Sequence, residues 1–398
     1  MKKYLLFMLI VCIAFNVVGC SLPSVEAPTD TQTMNPTISE DPTTVTTAPV
    51  AETFDQKPMI AVSLPVVDQT QYAEDGTLIF RYSYRNMSLI VPDPEVADKV
   101  IVDFLNRIDQ TANHAAQILE AAKVAYSDSS QWTPYLCQID YDTMRIDPGV
   151  LSLMGSYASY SGTPHPEKNY LSVNYNLLNG NVLTLEDILT DDASTDTLCS
   201  YIIQELNRQK DERFLYEDFE DTVKEQFGSN TAWFFSQTGL CFYFSPYEIA
   251  PYASGLITVE IPYDMLGGIL HDAYFPLEIE CGSSKLIVTP FDQMDLDRFT
   301  QFSEVVLDTS DNKILLYTES TVSNVQIEAG SWNADGTVFT PEQTVFAAYS
   351  LTPGDATMVE SAITNTLPSL RLSYDTAGGT VKSYITFNND QPVLTEES

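Results

Sequence analysis

Two prolines constrain this chain more than any other feature. Pro246 and Pro251 bracket Tyr247-Glu248-Ile249-Ala250 within GLCFYFSPYEIAPYASGLITVEIP, Gly239–Pro262. Proline donates no ladder hydrogen bond, so the bracketed residues must leave any sheet. Before them Leu240, Phe242 and Phe244 alternate with Cys241, Tyr243 and Ser245, the two-residue period of a strand. After Gly255 the chain alternates again over Leu256–Ile261. The stretch predicts two core strands joined by a stiff aromatic loop. Tyr247, Glu248 and Tyr252 form either a packing corner or a presented binding surface.

The N-terminus defines the compartment. Lys2 and Lys3 precede an apolar run, Tyr4–Val18, which is too short to span a bilayer comfortably and has the form of a secretory signal. Val17-Val18-Gly19-Cys20 closes it and resembles the lipobox of bacterial lipoproteins. That resemblance implies cleavage before Cys20, a diacylglycerol and fatty acyl lipid on its sulfur and amine, and a membrane anchor facing outside the cytoplasm. Two or more acyl chains suffice for stable anchoring. Residues 21–57 are rich in Thr, Pro, Ser and acids, bury too little apolar surface to order themselves, and are expected to be a tether.

A formal net charge of −36 repels phosphate, so nucleic acid is not an expected partner, and it favours solubility or cationic partners. Four of the six cysteines, Cys137, Cys199, Cys241 and Cys281, lie beyond the leader and tether, with no CxxC pair. They allow two disulfides or buried free thiols.

Ala61–Val67 and Leu78–Ile90 have strand patterns, separated by the turn residues Glu74-Asp75-Gly76. Asp93-Pro94 opens a helix whose stripe runs through Ala97, Ile101, Phe104, Ile108, Ala115, Ile118 and Ala122 to about Tyr126. His114 falls off the stripe and is expected in solvent without a partner. Tyr135–Ile146 is expected to be strand and turn, and Gly155–Gly162 a strand edge or loop. Tyr170–Leu177 alternates into the hairpin residues Asn179-Gly180, and Thr184 with Asp187 can cap a short helix. Helices are expected over Asp196–Arg208, Tyr216–Phe227 and Tyr263–Leu270, with strands at Trp233–Phe235 and Phe275–Cys281.

The succession of GTPHPEKNY, LSVNYNLLNGNVLTLEDIL and the Pro-framed stretch resembles the extracytoplasmic domain of RsiV-type anti-sigma factors and the accessory domains of PdaC-type peptidoglycan deacetylases. The matching positions are His165-Pro166, Asn179-Gly180, Leu183–Asp187 and Tyr247–Tyr252, within Gly162–Leu270. The resemblance implies an α+β fold and binding of a lysozyme-like protein at the cell surface. Only three residues precede the apolar run, so direct control of a sigma factor is not expected.

Lys285–Phe291 is expected to be a connection. Short strands at Lys313–Thr318, Val322–Ala329, Thr344–Leu351, Ser369–Tyr374 and Val381–Phe387 follow, separated by turn signals at Asp311-Asn312, Asp335-Gly336, Pro353-Gly354 and Gly378-Gly379. The expected fold class is α+β: a mixed helix-and-antiparallel-sheet unit, N-terminal part 58–161 and C-terminal part 162–284, then a small all-β immunoglobulin-like sandwich over 285–398.

No HExxH, GxSxG, Walker or dinucleotide motif occurs, and His114, His165 and His271 are scattered. The expected function is non-catalytic binding of a cell-envelope ligand, a lysozyme-like protein or peptidoglycan, with no cofactor and no metal. His165, Tyr247, Glu248 and Tyr252 are the candidate binding residues. A cell-wall hydrolase or deacetylase with an unrecognised site, or a structural surface spacer, are the other expectations.

Overall fold

The computed structural model describes residues 58–127, 132–163, 165–228, 231–307, 313–361, 369–388 and 391–397. Cys12, Cys20, the tether and the turn Asp311-Asn312 lie outside them. The first strands are β1 (Ala61–Ser63), β2 (Val66–Tyr72), β3 (Leu78–Arg85) and β4 (Ser88–Ile90). Each of the two expected strands is thus divided, because its halves serve different sheets. Helix α1 (Pro94–Ser127) follows, with Asp93 accepting from the Glu95 N–H at 2.9 Å. Its stripe is buried through Ala97, Val100, Phe104, Ile108, Ala115, Ile118 and Ala122.

Strands β5 (Tyr135–Ile146), β6 (Val150–Tyr160), β7 (Glu167–Asn176) and β8 (Asn181–Val182) complete a six-stranded sheet in the order β2-β3-β5-β6-β7-β8. Only the β3/β5 pair is parallel, and α1 is its crossover. One face takes α1, with the rings of Phe104 and Tyr141 5.0 Å apart. Residues 155–160, expected at an edge, lie in an interior strand. Gly155 permits this: a Cβ there would stand 2.2 Å from the Asp140 carbonyl oxygen.

At the β7/β8 hairpin Gly180 has φ +70°, as Asn-Gly predicts. Thr184 and Asp187 form a capping box on α2 (Leu185–Ile188), which leads to α3 (Asp192–Arg213) and α4 (Phe219–Gln226). Strands β9 (Trp233–Phe235), β10 (Gly239–Phe244) and β11 (Ile257–Pro262) form an antiparallel sheet with β10 central. β10 is buried along its whole length. Leu240, Phe242 and Phe244 join the core of α3, while Cys241 and Tyr243 pack with Met144, Met154 and Tyr170 of the six-stranded sheet. Its alternation separates two apolar environments rather than core from solvent.

The expected Tyr263–Leu270 helix is reduced to one 3-10 turn at Tyr263–Met265, because Gly267-Gly268 follows and Gly268 takes φ +77°. Phe275–Cys281, expected as a strand, pairs with none. Conversely the expected connection contains β12 (Ile287–Pro290), paired with β14 (Lys313–Tyr317). β13 (Gln301–Val306) and β17 (Asp355–Glu360) pair in parallel to complete a four-stranded sheet, β12-β14-β17-β13. Neither β13 nor β17 was signalled by the turn spacing.

The opposing sheet contains β15 (Val322–Trp332), β16 (Phe339–Leu351), β18 (Leu370–Thr376), β19 (Gly379–Asn388) and β20 (Gln391–Glu396). It is not built from 285–398 alone. Its order, β20-β19-β18-β15-β16-β1-β4, takes in the strands of residues 61–63 and 88–90, with Ala61 opposite both Ala348 and Ile90. Val325, Ile327, Phe346 and Leu372 of this sheet share a core with Val305, Ile314 and Val359 of the four-stranded one. The architecture is mixed helix and mostly antiparallel sheet, an α+β fold.

Arg145, almost wholly buried, ties β5 to the segment that follows β11. It pairs with Asp147 (2.5 Å), donates to the Tyr263 hydroxyl and the Tyr274 carbonyl (2.7 Å each), and lies over the Phe235 ring. Cys137, Cys199, Cys241 and Cys281 are free thiols, and burial pushes Cys241 up to about 12. Among the described residues no helix is long and apolar enough to cross a membrane.

Candidate functional site

The Pro-framed loop leaves β10 at Ser245 and returns to β11 after Gly255. Ile249 and Ala250 turn inward and are buried in the α3 core, and the Ile249 carbonyl accepts from the Tyr216 N–H at 2.9 Å. Anchoring these two residues forces their neighbours outward. Tyr247 adopts φ +75°, a left-handed conformation that costs a non-glycine residue about 1–2 kcal/mol. The turn holds it there: Tyr247 N–H donates to the Ala250 carbonyl (3.0 Å) and Glu248 N–H to the Ser245 carbonyl (3.1 Å). Strain of this kind persists only where the surroundings impose it.

The result is an aromatic row. Tyr247 is 69% exposed and Tyr252 46%, with ring centroids 5.6 Å apart and planes inclined at 32°. The His165 ring follows at 6.5 Å from Tyr252. His165 comes from the segment before β7, where the Thr163 hydroxyl donates to its carbonyl at 2.7 Å. The three rings share a cleft of about 380 Å³ with Pro166, Lys168 and Pro246. Two segments far apart in sequence therefore converge, and three of the four residues singled out from the sequence meet.

Glu248 does not line this cleft. Its carboxylate turns back and accepts from the Ser245 N–H at 2.6 Å, bracing the loop. Although the residue remains exposed at the surface, local desolvation raises its carboxyl above the usual range, with the Ser245 N–H opposing the shift. Its role is to shape the loop that presents Tyr247. Lys168 was missed by the sequence reasoning. Its position at the start of β7, two residues before Tyr170, is a signal visible only once the register is known; its ammonium lies 5.1 Å from the centre of the Tyr170 ring. His114 is exposed as expected, but it has a partner: its Nδ1 lies 2.9 Å from the Tyr157 hydroxyl.

The chemistry available is stacking, hydrogen bonding, one positive charge from Lys168 and one carboxylate from Glu167, which also lines the cleft. Flat ring faces with amphipathic edges suit a ligand that has an apolar face and polar rim.

The fold and cleft define an α+β domain with a surface-exposed aromatic loop. Within it, residues 186–264 match the model of a family described as "Protein of unknown function (DUF3298)". This segment begins in α2, carries the Pro-framed loop and ends just past β11. Solved structures similar to the chain include a member of the DUF3298 family from Bacteroides fragilis, at 18% identity over 54% of this chain and 95% of that one, TM-score 0.44. A DUF3298 family protein from Pseudomonas aeruginosa PAO1 has 18% identity over 55% of this chain and 97% of that one, TM-score 0.41. A search of curated proteins finds no match.

Proposed function

We propose that the chain is a lipid-anchored extracytoplasmic binding protein that captures the glycan of peptidoglycan on the row His165, Tyr252 and Tyr247. The convergence of these three rings on one cleft carries this reading. The C–H face of a pyranose stacks on tyrosine, and its hydroxyls suit His165, Lys168 and Asn169 at the rim. The lipid on Cys20 holds the protein at the outer side of the membrane, and residues 21–57 give it reach towards the wall. The likeness of Gly162–Leu270 to RsiV-type and PdaC-type domains supports a place in the envelope. The sandwich, which we read as immunoglobulin-like and which takes in β1 and β4, serves as a support for that domain. Binding is favoured over catalysis because Glu248 is turned away from the cleft and the lining offers one carboxylate, Glu167, without a second to share acid–base work.

The net charge of −36 favours a second ligand, a basic lysozyme-like protein. Salt separates the two, since charge-steered protein capture weakens as ionic strength rises and ring stacking does not. The test is retention of detergent-solubilised full chain on purified peptidoglycan and on immobilised lysozyme, at low and high salt. Salt-resistant retention on peptidoglycan, lost in Tyr252→Ala with the fold intact, is the expected result. Turnover of wall fragments without retention would overturn it in favour of an enzyme.

A further inference from the structure

Strand β7 carries its first two charges on opposite faces. Cys137, Ser159 and Glu167 are successive cross-strand neighbours, and Cys137 belongs to the α1 core, so Glu167 starts on the α1 side. There the Ser159 hydroxyl donates to its carboxylate at 3.4 Å. Lys168 is one residue further on and takes the other side, with Tyr170 and Ser172 after it. That is the side on which the three-stranded sheet packs. The Tyr243 hydroxyl donates to the Ser172 hydroxyl at 3.2 Å, and Tyr170 packs with Cys241 and Tyr243. The Pro-framed loop leaves β10 just after Tyr243 and Phe244, so it opens beside Lys168, and the two line the same cleft.

The Lys168 charge is held in place but not neutralised. Its ammonium lies 5.1 Å from the centre of the Tyr170 ring, a contact that orients the cation and leaves its charge intact. Acids outnumber bases 55 to 19 in the chain, yet among the described residues Lys168 forms no ion pair. The acids on the sheet face beyond it have other partners. Asp140 pairs with Arg85 at 2.8 Å, Asp142 accepts from the Thr344 N–H at 3.0 Å, and Glu342 accepts from the Ser331 hydroxyl at 2.5 Å. A lysine left unpaired in so acidic a chain, beside a row of exposed rings, is a place for an anion of the ligand.

We propose that Lys168 makes the cleft selective for a sugar that carries its own carboxylate: the lactyl group of N-acetylmuramic acid, free of its stem peptide. The inference rests on the glycan reading. In that sugar the carboxylate hangs a few bonds from the ring, so a pyranose stacked on the tyrosines brings its anion to a cation of the same cleft. Where a peptide is attached, the lactyl group is a neutral amide and offers the ammonium no charge. The net charge of −36 does not forbid the contact. At physiological salt, repulsion between exposed charges is largely screened beyond about 8 Å, whereas a contact pair is screened less.

Full-length protein in micelles would be titrated with four tetrasaccharides: one of N-acetylglucosamine alone, an alternating N-acetylglucosamine–N-acetylmuramic acid chain with free lactyl carboxylates, that chain with its carboxylates converted to methylamides, and that chain with a dipeptide ending in a free carboxylate on each lactyl group. The free-lactyl chain is expected to bind about tenfold more tightly than the other three, the worth of one hydrogen bond between charged groups. Lys168→Met, which keeps an apolar stem over Tyr170, should erase that difference, and Lys168→Arg should keep it. Equal binding of the N-acetylglucosamine and free-lactyl chains, or a preference that survives Lys168→Met, would overturn the inference and leave the glycan reading standing. A peptide-bearing chain that binds as tightly as the free-lactyl one would put the anion on the peptide and overturn it too. If no chain binds, the glycan reading falls and the inference falls with it.

Discussion

Asp142 and Thr344 are 202 residues apart in sequence, yet the Asp142 carboxylate accepts the Thr344 N–H at 3.0 Å and joins the six-stranded sheet to the seven-stranded one. Desolvation raises the Asp142 carboxyl above its usual range; the Thr344 N–H and Arg85 pull it down, and Asp140 and Glu328 push it further up. The folded state therefore holds the proton more tightly than the unfolded one. The Asp142 contribution to stability is largest below the ordinary Asp range near 4 and declines as pH rises through the raised value. Asp142→Asn keeps an acceptor for Thr344 and removes the charge. Urea midpoints from pH 3.5 to 7 should show the variant gaining on the wild type as pH rises; a constant difference would contradict the assignment.

Tyr247 tests the cost of presentation. Tyr247→Gly and Tyr247→Ala both remove the ring, but only glycine adopts φ +75° without strain. The glycine variant should be more stable than the alanine variant by about 1 kcal/mol in thermal melts. Both should lose retention on peptidoglycan.

Arg145→Met leaves Asp147 buried without its cation and the Tyr263 hydroxyl and Tyr274 carbonyl without their donor. Breaking a buried pair from one side costs about 3–5 kcal/mol. Denaturant titration should show a loss in that range.

Gly155→Ala places a Cβ 2.2 Å from the Asp140 carbonyl oxygen and 2.8 Å from the Tyr141 ring. The strands must part or the ring must move, a strain of about 1–3 kcal/mol. Calorimetry checks the expected fall in melting temperature.

Cys20→Ser should leave the chain unacylated and release it from the membrane fraction. Membrane retention with lipid labelling intact would contradict the lipobox assignment.

Local chemistry was the legible part of the sequence. The α1 stripe, the Thr184–Asp187 capping box, the Asn179-Gly180 hairpin and the β10 and β11 runs depend on residues close together in the chain. The residues of the aromatic cleft were partly legible for the same reason, since Pro246 and Pro251 force Tyr247 outward. What could not be read depends on distant partners. Nothing in Ala61-Val62-Ser63 specifies β16 as its neighbour. Ile287–Pro290 resembles a connection until β14 is alongside, and Phe275–Cys281 resembles a strand but finds no mate. Lys168 and Asp142 are ordinary charged residues until β6 brings their strands into register. That Glu248 turns back on Ser245 instead of lining the cleft was not legible, because a carboxylate that braces a turn and one that faces a cleft look the same in one dimension.

The place of β1 between β16 and β4 sets a timetable for folding. Met59–Leu64 is buried almost throughout in the finished molecule, but Ala61 cannot meet Ala348 until the chain has grown that far. At 5–20 residues per second the wait is on the order of 15 to 60 s. For that interval the apolar segment Met59–Leu64 has only β4 to pair with. Any factor that accompanies the growing chain meets this segment uncovered, and the last strands to emerge are those that close over the first.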